Sequence, residues 1–304
     1  MGLRDKNIEM AERILKLIGN TPLVKIEKIN PYKKVEIWAK LEKFNPGGSV
    51  KDRIALFMIE EAEKRGELKK GKIVLEATSG NTGIGLALVC AIKGYKLLLT
   101  MPESVSLERR KILKAFGAEI LLTPAKEGTD GAIEKAYQLA KESKKYWLAD
   151  QFNNPDNWRA HYFTTAKEIW EQTKGKITHF VAGIGTTGTL MGVAKGLKEK
   201  NPNVQIIGIE PPIGHKIQGL KNLKEAYKPG IYKKEWLDKK IVIEDEEAFE
   251  MTRKLAKEEG IFVGMSSGAV MKGTLKVARE LKEGFIVALC ADGGEKYLST
   301  ELFS

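Results

Sequence analysis

Short apolar runs and longer amphipathic stretches alternate along most of this chain, and no other feature limits its fold as strongly. Strands are read at 73–77, 95–101, 118–123, 146–149, 179–182, 205–209, 240–244 and 286–290. Helices are read among them at 83–93, 107–116, 132–144, 157–173, 190–200, 246–259 and 269–283, where apolar residues recur at helical spacing. Strands joined by helices through short connections lie parallel, with helices covering both faces of the sheet. The expected fold class is α/β, with two doubly wound, mostly parallel sheet domains. A length of 304 residues suits that count. The boundary is placed near 147–151, giving a smaller domain over 41–148 and a larger one assembled from 1–40 and 149–304. The segment 211–237 breaks the alternation with Pro211-Pro212 and Pro229-Gly230. It reads as an inserted lid or substrate loop.

Composition removes several function classes. Hydrophobic residues make up 42% and charged residues 30%, and no apolar run approaches a membrane span. The net charge of +11 is spread over helices in which Lys and Glu mingle, with no basic stripe. A nucleic-acid partner is therefore not expected, whereas small anions are compatible. Residues 1–16 are charged and lack a secretory apolar core, and Cys90 and Cys290 both lie in apolar runs. A reducing, cytoplasmic setting follows. Neither these cysteines nor His161, His179 and His215 have the spacing of a metal site.

In doubly wound sheets, ligands bind beyond the carboxyl ends of the strands. Three turns stand there. Thr78-Ser79-Gly80-Asn81-Thr82-Gly83 offers N–H groups, hydroxyls and an amide to a carboxylate or phosphate, although a plain turn with a helix cap has the same residues. Gly183-Ile184-Gly185-Thr186-Thr187-Gly188-Thr189 satisfies G-x-G-x-x-G, with Glu210 at the distance of a ribose-binding acid. A nicotinamide (NAD) dehydrogenase is thus one reading, and a phosphate monoester held by the threonines is the other. Gly264-Met265-Ser266-Ser267-Gly268-Ala269 matches G-x-S-x-G, but all three histidines precede it, the reverse of the hydrolase order. A fourth stretch, Asn45-Pro46-Gly47-Gly48-Ser49-Val50-Lys51-Asp52-Arg53, runs from turn formers into a helix carrying Ile54, Ala55, Met58, Ile59 and Ala62. Ser49 is a candidate cap. Lys51 falls in the first turn, where the helix N-terminus disfavours an ordinary cation and suits a lysine that loses its charge.

Taken together and in order, these motifs resemble the pyridoxal-phosphate-dependent β-substitution family that includes cysteine synthases (O-acetylserine sulfhydrylases) and cystathionine β-synthases. The resemblance runs from Ile18-Gly19-Asn20-Thr21-Pro22-Leu23 to Tyr297-Leu298-Ser299-Thr300. It is closest to the B-type enzymes, through Asp150-Gln151-Phe152-Asn153-Asn154-Pro155-Asp156 and the Gly185–Thr189 turn. It implies pyridoxal 5′-phosphate in the cleft between the two domains, a homodimer, and an amino-acid substrate with a sulfur nucleophile. It also implies that Lys51 forms a Schiff base with the cofactor and that Asn81 bonds the cofactor's 3′-oxygen. Gly185, Thr186, Thr187, Gly188 and Thr189 would cradle the phosphate, and Ser266 would meet the pyridine nitrogen. Thr78, Ser79, Gly80, Thr82 and Gln151 would hold the substrate carboxylate.

The chemistry suits these residue types. A lysine that can be neutral serves as Schiff-base former and general base. A serine at the ring nitrogen, in place of a proton-holding aspartate, makes a weaker electron sink and favours β-elimination over transamination. The activity implied is synthesis of L-cysteine from O-acetyl-L-serine with sulfide or thiosulfate. Cystathionine synthesis is the alternative within the family. Relatives that use O-phospho-L-serine resemble this chain in the insertion but place an arginine for the phosphate; here the matching position is Lys221, with Lys216 nearby in sequence. A lysine there keeps the charge and loses the bidentate fork.

Overall fold

The computed structural model describes residues 13–224 and 227–303. In chain order its elements are β1 (Leu23–Ile26), β2 (Val35–Leu41), α1 (Lys51–Lys64), β3 (Ile73–Ala77), α2 (Asn81–Lys93), β4 (Lys96–Pro102), α3 (Leu107–Ala115), β5 (Glu119–Thr123) and α4 (Gly128–Glu142). There follow β6 (Tyr146–Leu148), α5 (Asp156–Phe163), α6 (Thr165–Gln172), β7 (His179–Gly183), α7 (Gly188–Lys198), β8 (Gln205–Glu210), β9 (Lys239–Val242), α8 (Asp245–Lys254), α9 (Met265–Glu280) and β10 (Gly284–Cys290). A smaller sheet has the order β5-β4-β3-β6, and a larger one the order β1-β2-β10-β7-β8-β9. Every pairing is parallel except β1 with β2. The α/β reading with two mostly parallel sheets therefore holds. The smaller sheet is built from residues 73–148, and β2 before it belongs to the larger one.

Side chains alternate across a strand, so each sheet has two apolar faces to cover. In the smaller sheet, Val74, Leu97, Leu99 and Met101 pack with Ile54, Met58 and Leu86 of α1 and α2. Leu75 and Ala77 face Ala132, Ile133 and Ala136 of α4. In the larger sheet, Phe180, Ala182 and Val287 pack with Ile169, Leu190 and Val193, and Val181, Ile207 and Ala288 pack with Ala269, Val270 and Val277. Each fully buried aliphatic side chain contributes ~1.5–3 kcal/mol. Helices α5 and α7 come so close that a Cβ at Gly192 would clash with the Trp158 carbonyl oxygen.

The structure departs from the sequence reading at several boundaries. Strands β1 and β2 lie ahead of the strand–helix alternation, which begins at residue 73. The expected helix 157–173 is two helices, broken at Thr164 with φ −116° and ψ −72°. Helices α2, α4, α7 and α9 begin two to four residues earlier than expected, inside Gly-, Ser- and Thr-rich stretches. First-turn N–H groups need no intrahelical partner, so poor helix formers are tolerated there. Ser49 is not the N-cap of α1, which is Val50, but its hydroxyl accepts the Lys51 N–H at 3.2 Å.

A buried ionic network joins β2, α1 and α6. Arg53 Nε donates to Glu42 at 2.7 Å, and its Nη1 donates to Glu168 at 2.6 Å. Lys40 Nζ donates to Glu168 at 2.7 Å, to the Thr21 carbonyl at 2.7 Å and to Gln172 at 2.9 Å. Burial pushes the Glu168 carboxyl up, but Arg53 and Lys40 outweigh it and hold the group at about 2, below the ordinary 4.5. Its stabilisation is therefore complete above the unfolded value of 4.5 and is lost as pH falls from there toward 2. Glu168→Ala should cost ~3–5 kcal/mol, because it leaves buried Lys40 without its carboxylate and Arg53 with one of its two. Urea unfolding at pH 7 checks this; a loss below ~1 kcal/mol would contradict the network's role.

Candidate active site

Lys51 opens α1 and is held in place by main-chain bonds on its N-terminal side. The Val50 N–H donates to the Ala291 carbonyl at 2.9 Å, and Ser49 forms a β-bridge with Asp292, just past β10. Gly48 has φ +75°, a conformation glycine adopts freely. The turn formers before Lys51 thus lay the start of α1 against the carboxyl end of β10. The lysine is half-buried. Burial draws its amine below the ordinary lysine range, with Asp292 and Glu42 pulling the other way.

Opposite it, the turn after β7 leads into α7. Thr187 sits at the N-cap with φ +68°, a left-handed conformation that costs a non-glycine residue ~1–3 kcal/mol. Its hydroxyl is buried and has no hydrogen-bond partner. Thr186 Oγ1 accepts from Asn157 Nδ2 at 3.1 Å, and Thr189 Oγ1 lies 3.2 Å from His161 Nε2. A Cβ at Gly185 would lie 2.8 Å from the Gly219 carbonyl oxygen. Lys51, Gly185, Thr186, Thr187, Thr189 and Ser266 line one partly open cavity. Gly188 does not reach that wall; it packs against Asn157, where a Cβ would clash. Ser266 lies in the first turn of α9 and is 5% exposed, so little but a ligand in the cavity can reach it.

A wider cleft of about 320 Å³ continues from Lys51 toward α2. Thr78, Ser79, Gly80, Asn81, Thr82 and Gln151 line it. Gly80 is the N-cap of α2 and carries no side-chain acceptor, which leaves first-turn N–H groups for an anion. Thr82 Oγ1 donates to Gln151 Oε1 at 2.6 Å, linking the loop to the strand crossover. Lys221 lines the same cleft, its backbone N–H bonded to the Ile184 carbonyl at 2.7 Å. Lys216 does not line it: its ammonium pairs with Glu301 at 3.0 Å, out on the surface.

Several site groups escaped the sequence reading. Asp292 is buried between Asn81 Nδ2 at 2.7 Å and the Tyr297 hydroxyl at 2.6 Å, and burial raises its pKa. Lys296 Nζ donates to Asn81 Oδ1 at 2.8 Å and to the Gly47 and Gly48 carbonyls. Asn81 is thus engaged on both amide atoms. Arg109 of α3 lines the cleft and hydrogen-bonds Gln218 of the insertion. His161 is buried, and burial holds its pKa well below the ordinary value, so a neutral ring stands behind Thr189. The cysteines are buried, as expected, with burial pushing both thiols up to about 12. Among the described residues no cluster of His, Cys, Asp or Glu could hold a metal.

A phosphate ester fits this arrangement. The orphaned Thr187 hydroxyl and the α7 N-terminus supply donors, and Gly185 lets the Gly219 backbone come closer than a side chain would allow. A half-buried lysine inclined to neutrality suits an aldehyde on the same ligand. The residues therefore fit pyridoxal phosphate.

Comparison with known proteins agrees. The family model described as "Pyridoxal-phosphate dependent enzyme" matches residues 14–292. A cysteine synthase of Aquifex aeolicus is 55% identical over 302 residues, covering 96% of this chain and 92% of that one. Cysteine synthase B of Salmonella typhimurium is 49% identical over 286 residues, covering 94% of each. The crystal structure of a cysteine synthase from Entamoeba histolytica superposes with a TM-score of 0.94 at 42% identity, covering 100% of this chain and 94% of that one. A match over nearly the whole length places this chain in the family of pyridoxal-phosphate dependent enzymes.

Proposed function

We infer that the chain is a pyridoxal-phosphate-dependent cysteine synthase, making L-cysteine from O-acetyl-L-serine and sulfide by substitution at Cβ. One observation carries the reading: a lysine with a lowered pKa stands between a phosphate-type cradle and an uncapped helix start suited to an α-carboxylate. Pyridoxal phosphate, when bound, supplies the electron sink that acidifies Cα and lets the leaving group depart from Cβ. The 185–189 turn would hold its phosphate, Lys51 its aldehyde carbon, and Asn81 and Ser266 its ring. Thr78, Ser79, Thr82 and Gln151 would bind and orient the donor carboxylate. Lys51 Nζ, more readily neutral than a surface lysine, would take the Cα proton. Closure of the 78–83 loop would exclude water from the reacting carbons.

The dehydrogenase reading loses its main support in the structure. Glu210, the acid expected on a ribose, accepts the Leu223 N–H at 2.7 Å and Lys240 Nζ at 2.9 Å. A homodimer, a cytoplasmic setting and the two-domain division at 41–148 against 1–40 and 149–304 belong to the same proposal. The family resemblance supports the first two, and the division of the strands between two sheets supports the third. Among the described residues no helix is long and apolar enough to cross a membrane.

A panel of O-acetylserine, O-phosphoserine, serine and threonine, each with sulfide, thiosulfate or homocysteine, tests the activity. O-acetylserine with sulfide should be the best pair, and cystathionine formation from serine and homocysteine as the fastest reaction would overturn the reading. Within the panel, the cations Lys221 and Arg109 on the cleft wall should admit O-phosphoserine as a slower donor. Lys221→Ala should lower kcat/KM for O-phosphoserine by roughly tenfold, the loss of one charge-assisted contact, and barely change O-acetylserine. Equal losses for both donors would remove Lys221 from donor recognition. Ser266→Asp puts a carboxylate where the wall now offers a hydroxyl, and kcat with O-acetylserine and sulfide should fall by roughly tenfold or more. Turnover at the wild-type rate would refute control through Ser266.

A further inference from the structure

Beneath the 78–83 loop lies an acid that the proposed reaction does not use. Glu76, next to last in β3, is buried on the strand face it shares with Val74. Its Oε2 accepts the backbone N–H of Gln151 at 3.0 Å, and its Oε1 accepts that of Ala77 at 2.8 Å. Gln151 lies where the chain leaves the smaller sheet, directly after Asp150 in a left-handed conformation with φ +50°. Gln151 Oε1 in turn accepts the Thr82 hydroxyl at 2.6 Å. One carboxyl group therefore ties together the end of β3, the crossover turn and the first turn of α2.

We propose that Glu76 is a positioning residue for donor binding, clamping Gln151 and through it Thr82 so that the start of α2 presents its N–H groups to an anion. This rests on reading 78–82 with Gln151 as the carboxylate site. Two oxygens that each accept an N–H suit the ionised form. Burial opposes it, and Asp150 adds to the opposition, so the group is pushed up to about 8. Among the described residues no cation hydrogen-bonds to Glu76 to reverse this. Strand β4 pairs Leu99 with it, β6 is Tyr-Trp-Leu, and α2 carries no charged side chain before Lys93 at its far end. The strand face that α4 covers is the opposite one, on which Leu75 and Ala77 lie. Helix α1 opens with Lys51, Asp52 and Arg53; Arg53 is committed to Glu42 and Glu168, and Asp52 is itself buried and pushed up to about 6. Neutral at pH 7, Glu76 places no charge behind the anion site; ionised at pH 9, it does. A bound carboxylate and the Glu76 proton then favour each other, and the coupling is reciprocal.

Propionate tests this, since it has a carboxylate and no amine. Calorimetry of propionate binding to the holoenzyme, in two buffers of different ionisation enthalpy, reads both affinity and proton uptake. The wild type should take up a fraction of a proton at pH 8 and lose roughly fivefold in affinity between pH 7 and pH 9. Glu76→Gln should show neither effect. Proton uptake that persists unchanged in Glu76→Gln overturns the role of Glu76 and leaves the loop assignment standing. Propionate that fails to bind the wild type at any pH overturns the loop assignment and this proposal with it. Should Glu76→Gln not fold, wild-type protein labelled with carboxyl-13C glutamate decides. Its protonated-carboxyl infrared band must grow when propionate is added at pH 8, and a band that stays constant overturns the proposal.

Discussion

Arg53 cannot leave its two carboxylates, and much of the site follows from that. The side chain is 3% exposed, with Glu42 on one side and Glu168 on the other. Removing any member would leave an uncompensated buried charge, which is why the group tolerates little movement. Because Arg53 is two residues past Lys51, the network fixes the first turn of α1 from behind. The β-bridge between Ser49 and Asp292 fixes it from the front. Lys51 is thereby held at the cleft, where burial rather than any specific neighbour lowers its pKa.

The cleft around it is an assembly of helix starts. Helices α2 and α7 begin at the carboxyl ends of β3 and β7, and α9 begins beside the residues that follow β10, where Val263 forms a bridge with Gly293. Gly80, Thr187 and Gly264 occupy the three N-caps, and none makes a side-chain capping bond. Glycine caps at Gly80 and Gly264 cost only about a few tenths of a kcal/mol relative to a bonded cap, the unbonded Thr187 costs ~0.5–2 kcal/mol, and all three leave oriented N–H donors for ligands. The partners behind the loops are His161 behind Thr189, Gln151 behind Thr82, and Glu76 behind Gln151.

How much of this was legible in the sequence depended on whether a residue's neighbours in the chain are also its neighbours in space. The 183–189 turn could be read because a strand, a glycine-rich turn and a helix are contiguous. Lys51 was legible for the same reason. The break at Thr164 was not, since apolar spacing continues through both α5 and α6 and only the backbone angles reveal the interruption. Glu76 and Asp292 look in sequence like any acid at a strand end; their burial, and partners as distant as Asn81 for Asp292, exist only in the fold. Lys216 and Lys221 were indistinguishable until the insertion was folded, when one turned out to face Glu301 and the other the cleft.

The central claim is that the lysine at the start of α1 is the one that holds the cofactor. Borohydride reduction of the holoenzyme, followed by digestion and mass mapping of the pyridoxyl group, tests it directly among the many lysines of the chain. A single modified peptide carrying the label on Lys51 is expected. A label on any other lysine, or none on Lys51, would contradict it.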